Sequence, residues 1–151
     1  MVLCFLRLDS DFTDYVIKEY RVDDIIRPAV RRLAPQFIMK KLALEYEHTD
    51  EVALTDEKWL GFVVEQVLSN AVKYTSSGSI SIRCDGDRLV ISDTGIGIAA
   101  EDLPRIFDKG YTGFNGRADR KASGIGLYLC RRICDNLGHS IKAVSYTHLT
   151  L

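Results

Sequence analysis

Glu65-Gln66-Val67-Leu68-Ser69-Asn70-Ala71-Val72-Lys73-Tyr74 is the stretch on which the fold turns. At a helical repeat, Gln66, Asn70, Lys73 and Tyr74 fall at i, i+4, i+7 and i+8 and share one stripe. Leu60, Val64, Val67, Leu68 and Ala71 form a second, apolar stripe that needs a sheet to bury it. The polar stripe needs water or a ligand, and a merely solvated face fits this helix taken alone. Asn70 weighs against that reading, because asparagine is a mediocre interior helix residue. Its amide oxygen is a neutral, hard ligand of the kind that suits Mg²⁺. Lys73 offers a point charge to a phosphate, and Tyr74 a ring to pack near a base or sugar.

Two glycine-bearing blocks follow. Asp93-Thr94-Gly95-Ile96-Gly97-Ile98 comes at the end of a hydrophobic strand pattern. A carboxylate there can accept a hydrogen bond from an exocyclic amine such as that of adenine, and Gly95 and Gly97 let the backbone turn close to a ligand. An ordinary Asp-x-Gly turn is the plain alternative. The block is not a dinucleotide fingerprint, since the three-glycine spacing and the ribose-binding acid are missing. Ser123-Gly124-Ile125-Gly126-Leu127 opens the next helix, where glycines leave backbone N–H groups exposed to phosphate, or simply make a flexible joint. Between the two blocks, Lys109, Arg117, Arg120 and Lys121 sit among Gly110, Gly113 and Gly116. A solvated loop has this composition, and so does a hinged basic cover over a triphosphate. Phe107 is the hydrophobic anchor where such a cover leaves the core.

Outward from these blocks, Asp23 is expected to cap a helix running to about Leu33, bent by Pro28 and ended with the help of Pro35. Leu42, Leu44 and Tyr46 alternate with polar neighbours as in a strand, and Val52 to Leu54 suggests a short second one. Asp56 is expected to cap the helix Glu57 to Tyr74. Ser79–Cys84 and Arg88–Ser92 read as a hairpin turning at Asp85-Gly86. A short helix is expected around Glu101–Phe107. Leu127 to Leu137 reads as a helix closed by Gly138, and Ile141 to Val144 as a last strand. Together these give an α+β fold: a two-layer α/β sandwich with a mixed, mostly antiparallel sheet covered on one face by helices.

The chain has 151 residues, 46% of them hydrophobic, which suits one compact domain. A net charge of −1 gives no electrostatic case for nucleic acid or an anionic membrane. No apolar run approaches the roughly 20 residues of a spanning helix, so the chain is expected to be soluble and intracellular. Residues 1–20 mix apolar and acidic positions and are expected to be the remnant of an upstream helix or a linker. Cys4, Cys84, Cys130 and Cys134 form no CxxC pair. Cys130 and Cys134 lie one helical turn apart without a histidine at zinc spacing, and read as buried free thiols. His48, His139 and His148 read as structural or solvent-facing.

In this order the blocks resemble the catalytic ATP-binding domain of sensor histidine kinases, from about Ile25 to Val144. That domain shares its wider fold with the type II topoisomerase, Hsp90 and MutL ATPases. Glu65 to Tyr74 resembles its asparagine box, Asp93 to Gly97 its first glycine box, Phe107 its phenylalanine box, and Ser123 to Leu127 its second glycine box. The resemblance implies that Asp93 binds adenine, that Asn70 binds Mg²⁺, and that Lys73 and Tyr74 line the nucleotide, with Glu65 and Gln66 on the catalytic helix. It implies that Gly95, Ile96, Gly97, Phe107, Ser123, Gly124, Ile125, Gly126 and Leu127 shape the pocket. It implies a mobile ATP lid bearing Lys109, Tyr111, Thr112, Gly113 and Arg117. Lys109-Gly110-Tyr111-Thr112-Gly113 with Asn115-Gly116-Arg117 further resembles the bacitracin-sensing subgroup of membrane kinases.

Three departures shape the expected activity. Gln66 stands one turn before Asn70, where hydrolysing relatives carry a water-activating Glu, and an amide cannot be that base. Neighbouring Glu65 keeps hydrolysis open. Nothing matches the phosphoacceptor histidine, which in the family lies on a separate dimerisation domain. Ser145 to Leu151 does not fit the closing turn and strand, and is expected to be a non-native tail on a domain of residues 21–151. The resemblance therefore implies an ATP- and Mg²⁺-dependent donor of the γ-phosphoryl to a histidine on that dimerisation domain, nearly inert alone. It implies a homodimeric, membrane-anchored parent with this domain in the cytoplasm and a response regulator as downstream partner. An ATP-hydrolysing module or a non-catalytic nucleotide-binding module of the same fold are the rivals. A serine kinase of the anti-sigma type fits the lid sequence less well.

Overall fold

The structure, a computed structural model, describes residues 15–95, 106–108 and 126–143. The chain divides into one unit of Val16–Ile96 and another of Met1–Tyr15 with Gly97–Leu151. The first unit holds β1 (Lys18–Arg21), α1 (Val22–Lys40), β2 (Ala43–Tyr46), β3 (Val52–Thr55), α2 (Glu57–Tyr74), β4 (Ser79–Asp85) and β5 (Arg88–Asp93). Strand β1, which takes up the end of the stretch expected to be a remnant or linker, pairs antiparallel with β3. A second sheet runs in the order β2-β4-β5, with β2 parallel and β5 antiparallel to β4. Parallel pairing of β2 with β4 is permitted because α2 lies between them in the chain and supplies the crossover.

Ile80 and Ile82 alternate along β4, and both are completely buried. Over them lie Ile25, Ile26, Ala29, Leu33 and Phe37 of α1 and Val64, Leu68, Ala71 and Val72 of α2. The polar positions Ser81 and Arg83 fall on the opposite face, as a period of two requires. The architecture is the α+β sandwich expected from the sequence.

Asp56 caps α2 as expected, its Oδ1 accepting from Trp59 N–H at 3.1 Å. The hairpin turns one residue later than read: Asp85 pairs with Arg88, and Gly86 takes φ 64°. Helix α1 differs more. It begins after Arg21, which makes no side-chain cap, and it runs through Pro35 to Lys40. Pro28 and Pro35 stand seven apart on the exposed face, so the carbonyls of Asp24 and Arg31 that they leave unpaired meet water. Burial of Phe37 two residues further on holds the helix together past the second proline. It ends where Lys41, at φ 57°, takes the left-handed position usually given to glycine; Lys41 N–H reaches Ile38 O (3.1 Å) and Leu42 N–H reaches Phe37 O (2.9 Å).

In the second unit, α3 (Gly126–Leu137) buries Leu129, Cys130, Ile133, Cys134 and Leu137 along one stripe. Gly138, at φ 78°, closes it with the same paired hydrogen bonds, from its own N–H to Asp135 O and from His139 N–H to Cys134 O. Residues 141–143 form no strand, against expectation, and Val144 lies outside the described residues. So does the helix expected around Glu101, except for a turn at Ile106–Asp108. No helix among the described residues is long and apolar enough to cross a membrane.

Candidate nucleotide site

Three connections build the corner at the end of α2. The chain leaves α2 at Thr75 in extended conformation (φ −112°, ψ 112°). It then turns through Ser76, Ser77 and Gly78, the last at φ 111°, into β4. Thr94, the residue after β5, clamps that turn. Its Oγ1 accepts from Ser79 N–H at 3.1 Å and lies 3.4 Å from both Ser77 O and Ser79 O, while its own N–H donates to Ser79 O at 3.1 Å. A methyl on Gly78 would strike the Thr94 hydroxyl, so glycine is required there for space as well as for φ. Third, Lys40 at the end of α1 donates from Nζ to Val72 O at 2.5 Å and to Lys73 O at 3.3 Å. A cation on the last carbonyls of a helix satisfies acceptors that have no partner within the helix.

Gly95 fits into this corner. A Cβ there would sit 2.5 Å from Tyr74 O, 2.8 Å from Thr75 Oγ1 and 2.9 Å from Asp93 Oδ1. Any side chain would push the strand end away from the helix end. Asp93 itself is exposed, with Oδ1 accepting from Gly95 N–H at 2.9 Å. That bond folds the carboxylate back over its own turn, an Asx arrangement. Thr75 Oγ1 is completely buried and has no hydrogen-bond partner.

Of the expected apolar stripe of α2, Val64, Leu68 and Ala71 are buried, along with Trp59, Val63 and Val72, while Leu60 and Val67 are half-buried, as are Gln66, Asn70, Lys73 and Tyr74. Lys73 Nζ stands 5.4 Å from the centroid of the Tyr74 ring. Glu65 turns to α1, where Arg32 Nη1 donates to its Oε2 at 2.6 Å. In the other unit, the Arg131 guanidinium lies 5.5 Å from the centroid of the half-buried Phe107 ring, and Gly126 and Leu127 start α3. Ile96, Gly97, Lys109, Tyr111, Thr112, Gly113, Arg117, Ser123, Gly124 and Ile125 lie outside the described residues.

The thiols behave as core groups. Cys84, Cys130 and Cys134 are free. Burial pushes the Cys134 thiol up to about 11 and that of Cys130 higher still, in keeping with buried, protonated thiols. Burial likewise lowers the pKa of His139.

The chain matches the family described as histidine kinase-, DNA gyrase B- and HSP90-like ATPases over residues 55–149. It belongs to this family. It is 35% identical over 146 residues to the sensor histidine kinase YxdK of Bacillus subtilis, covering 92% of this chain and 45% of that protein. It is 38% identical over 130 residues to the sensor protein BceS of Halalkalibacterium halodurans, covering 82% of this chain and 38% of that one. Among solved structures, full-length ShkA in complex with AMPPNP superposes with a TM-score of 0.74 at 23% identity, over 91% of this chain and 30% of ShkA. That likeness establishes the shared fold. The chain thus spans less than half the length of these relatives.

The glycine cradle, the exposed carboxylate and the orphaned hydroxyl suit a nucleotide: a polar edge is needed where the purine docks, and close backbone approach beside it. Sequence reasoning missed Lys40, Thr75 and Thr94. The adjacency of Thr75 to Lys73-Tyr74 is the signal that could have found it, and nothing local points to Lys40.

Proposed function

We propose that the chain is the ATP-binding catalytic part of a two-component sensor histidine kinase, which donates the γ-phosphoryl of ATP to a histidine on a separate dimerisation domain. The corner at Gly95 carries this reading: a close backbone approach with an exposed carboxylate on one side, and the Asn70–Lys73–Tyr74 stripe on the helix that ends there. The sensor-kinase names of its relatives and the AMPPNP complex of ShkA support it.

Mg-ATP supplies the phosphoryl group to be transferred and the metal charge that neutralises it. Asp93 accepts a hydrogen bond from the exocyclic amine of the purine. Tyr74 packs against the nucleoside, and Lys73 neutralises phosphate charge. The Asn70 amide oxygen is the protein ligand for Mg²⁺, a hard donor with no charge to repel the phosphates. Phosphoryl transfer asks the donor site mainly for placement and charge neutralisation, which these groups provide. Gln66 has no carboxylate to activate water, and Glu65 is held by Arg32; both facts favour transfer over hydrolysis. The lid sequence favours the bacitracin-sensing subgroup. The parent would then be a homodimer anchored in the cell membrane, with this domain in the cytoplasm and a response regulator as its phosphoryl acceptor.

Two measurements test the reading. Incubated with Mg-ATP alone, the chain releases phosphate at close to background. With a separately purified dimerisation domain from its own kinase, it yields an acid-labile phosphohistidine. Rapid unaided phosphate release would identify a hydrolase instead, and no phosphohistidine on the cognate domain would reject the kinase role.

A further inference from the structure

Thr75 Oγ1 is the one completely buried side-chain polar atom among the described residues that lacks a hydrogen-bond partner. A valine would fill the same space without stranding a hydroxyl, so a threonine here calls for a use. The hydroxyl makes no bond to the local backbone, where Val72 O already accepts from Thr75 N–H and Lys40 Nζ, and Lys73 O from Lys40 Nζ. On its other side lies Gly95. A Cβ on Gly95 would sit 2.8 Å from Thr75 Oγ1 and 2.9 Å from Asp93 Oδ1, so the two oxygens flank the same spot beside the Gly95 Cα without bonding to each other. Asp93 is exposed, and Gly95 N–H is the donor that holds its carboxylate.

We propose that Thr75 is a positioning residue for purine recognition: its hydroxyl donates to the Asp93 carboxylate when nucleotide binds. This rests on the nucleotide-site reading above and adds a specific role within it. With Gly95 N–H and Thr75 O–H both on one edge, the carboxylate is fixed and its remaining lone pairs face the exocyclic amine. An exposed aspartate held by a single bond keeps rotamer freedom at its other oxygen; a second donor, engaged as the amine arrives, holds the carboxylate in the bound state. The buried hydroxyl, unsatisfied without ligand, gains its partner on binding. Selectivity for the amine therefore depends on Thr75 although it does not touch the base.

The test uses the full chain with Mg²⁺ and two ligands, ATP and purine riboside 5′-triphosphate, which carries hydrogen in place of the amine. Calorimetry gives the affinity ratio for the wild type and for Thr75→Val, Thr75→Ser and Asp93→Asn. Thr75→Val is expected to weaken ATP about tenfold, the scale of one hydrogen bond to a charged group. It should leave the analogue nearly unchanged, so that the ratio contracts toward that of Asp93→Asn. Thr75→Ser keeps the wild-type ratio. Without nucleotide, Thr75→Val melts at or above the wild-type temperature, since it removes an unsatisfied hydroxyl. If the valine variant does not fold, Thr75→Cys replaces it as a close match in size with a weak donor, and the ratio should again contract. An unchanged ratio, or equal losses for both ligands, overturns the proposal while leaving the nucleotide site intact. No ATP binding by the wild type overturns the site itself.

Discussion

Two aspartates, each near the end of an element, show how differently the same side chain is used. Asp23, on the first turn of α1, is buried; its carboxylate accepts from Tyr46 O–H at 2.6 Å and from Thr49 N–H at 3.2 Å. His48 Nδ1 stands 3.5 Å away and Arg27 Nη2 3.9 Å. Burial alone would raise its pKa, but these donors and charges outweigh that and hold it below the ordinary 3.8. Asp93 is exposed and keeps one bond, to its own turn. One carboxylate is saturated by the fold and ties α1 to the loop after β2. The other keeps spare acceptor capacity beside a glycine cradle and an orphaned hydroxyl. A polar group satisfied within the chain stabilises the fold; one left with unused capacity at a close backbone approach is available to a ligand.

The contrast breaks first at Asp23. Asp23→Ala is expected to cost about 3 kcal/mol, because it strands the Tyr46 hydroxyl and the Thr49 N–H. Chemical denaturation measures this, and ATP affinity should not change in the folded variant. Gly95→Ala should do the reverse. The strand end must shift from the helix end to admit the methyl, and a displacement on that scale weakens ATP about a hundredfold, with a smaller loss of stability.

Acid sharpens the comparison. Because the folded Asp23 pKa lies below its unfolded value of 3.8, the unfolded chain binds the extra proton first as pH falls. The stabilisation from Asp23 is present in full above that value and disappears as pH drops through the folded pKa. Asp23→Asn should lack this part of the acid slope, and an identical slope would mean the cluster does not form. The smallest effect is at Lys41, whose left-handed backbone costs what glycine would not; Lys41→Gly should raise stability by about 1 kcal/mol and leave nucleotide affinity alone.

What the sequence disclosed follows the range of the forces involved. The Asp56 cap and the Gly138 terminus are set by neighbours within about one helical turn, and both appear where the pattern places them; the apolar stripe of α2 does so only in part, because burial depends on what packs against the helix. Asp23 was read as a cap because its local pattern allows one. The partners that bury it, Tyr46 and Thr49, lie more than twenty residues away. Pro35 favours a stop by its local chemistry, but burial of Phe37 outweighs the lost backbone bond. The site divides in the same way. Asn70, Lys73, Tyr74 and Asp93 stand out by residue type and spacing. Lys40, Thr75 and Thr94 do not, because a lysine at a helix end and a threonine beside a glycine are common; only the fold brings them to one corner.

Asp93 reads the purine, and the bond its carboxylate makes within the chain is to its own turn. Calorimetric titration of Mg-ATP into the full chain and into Asp93→Asn, alongside thermal melts of both without nucleotide, tests it most directly. The wild type should bind, the variant should bind at least about tenfold more weakly, and the melting temperatures should match. Equal affinities, or a variant that loses its melting temperature along with its binding, would contradict it.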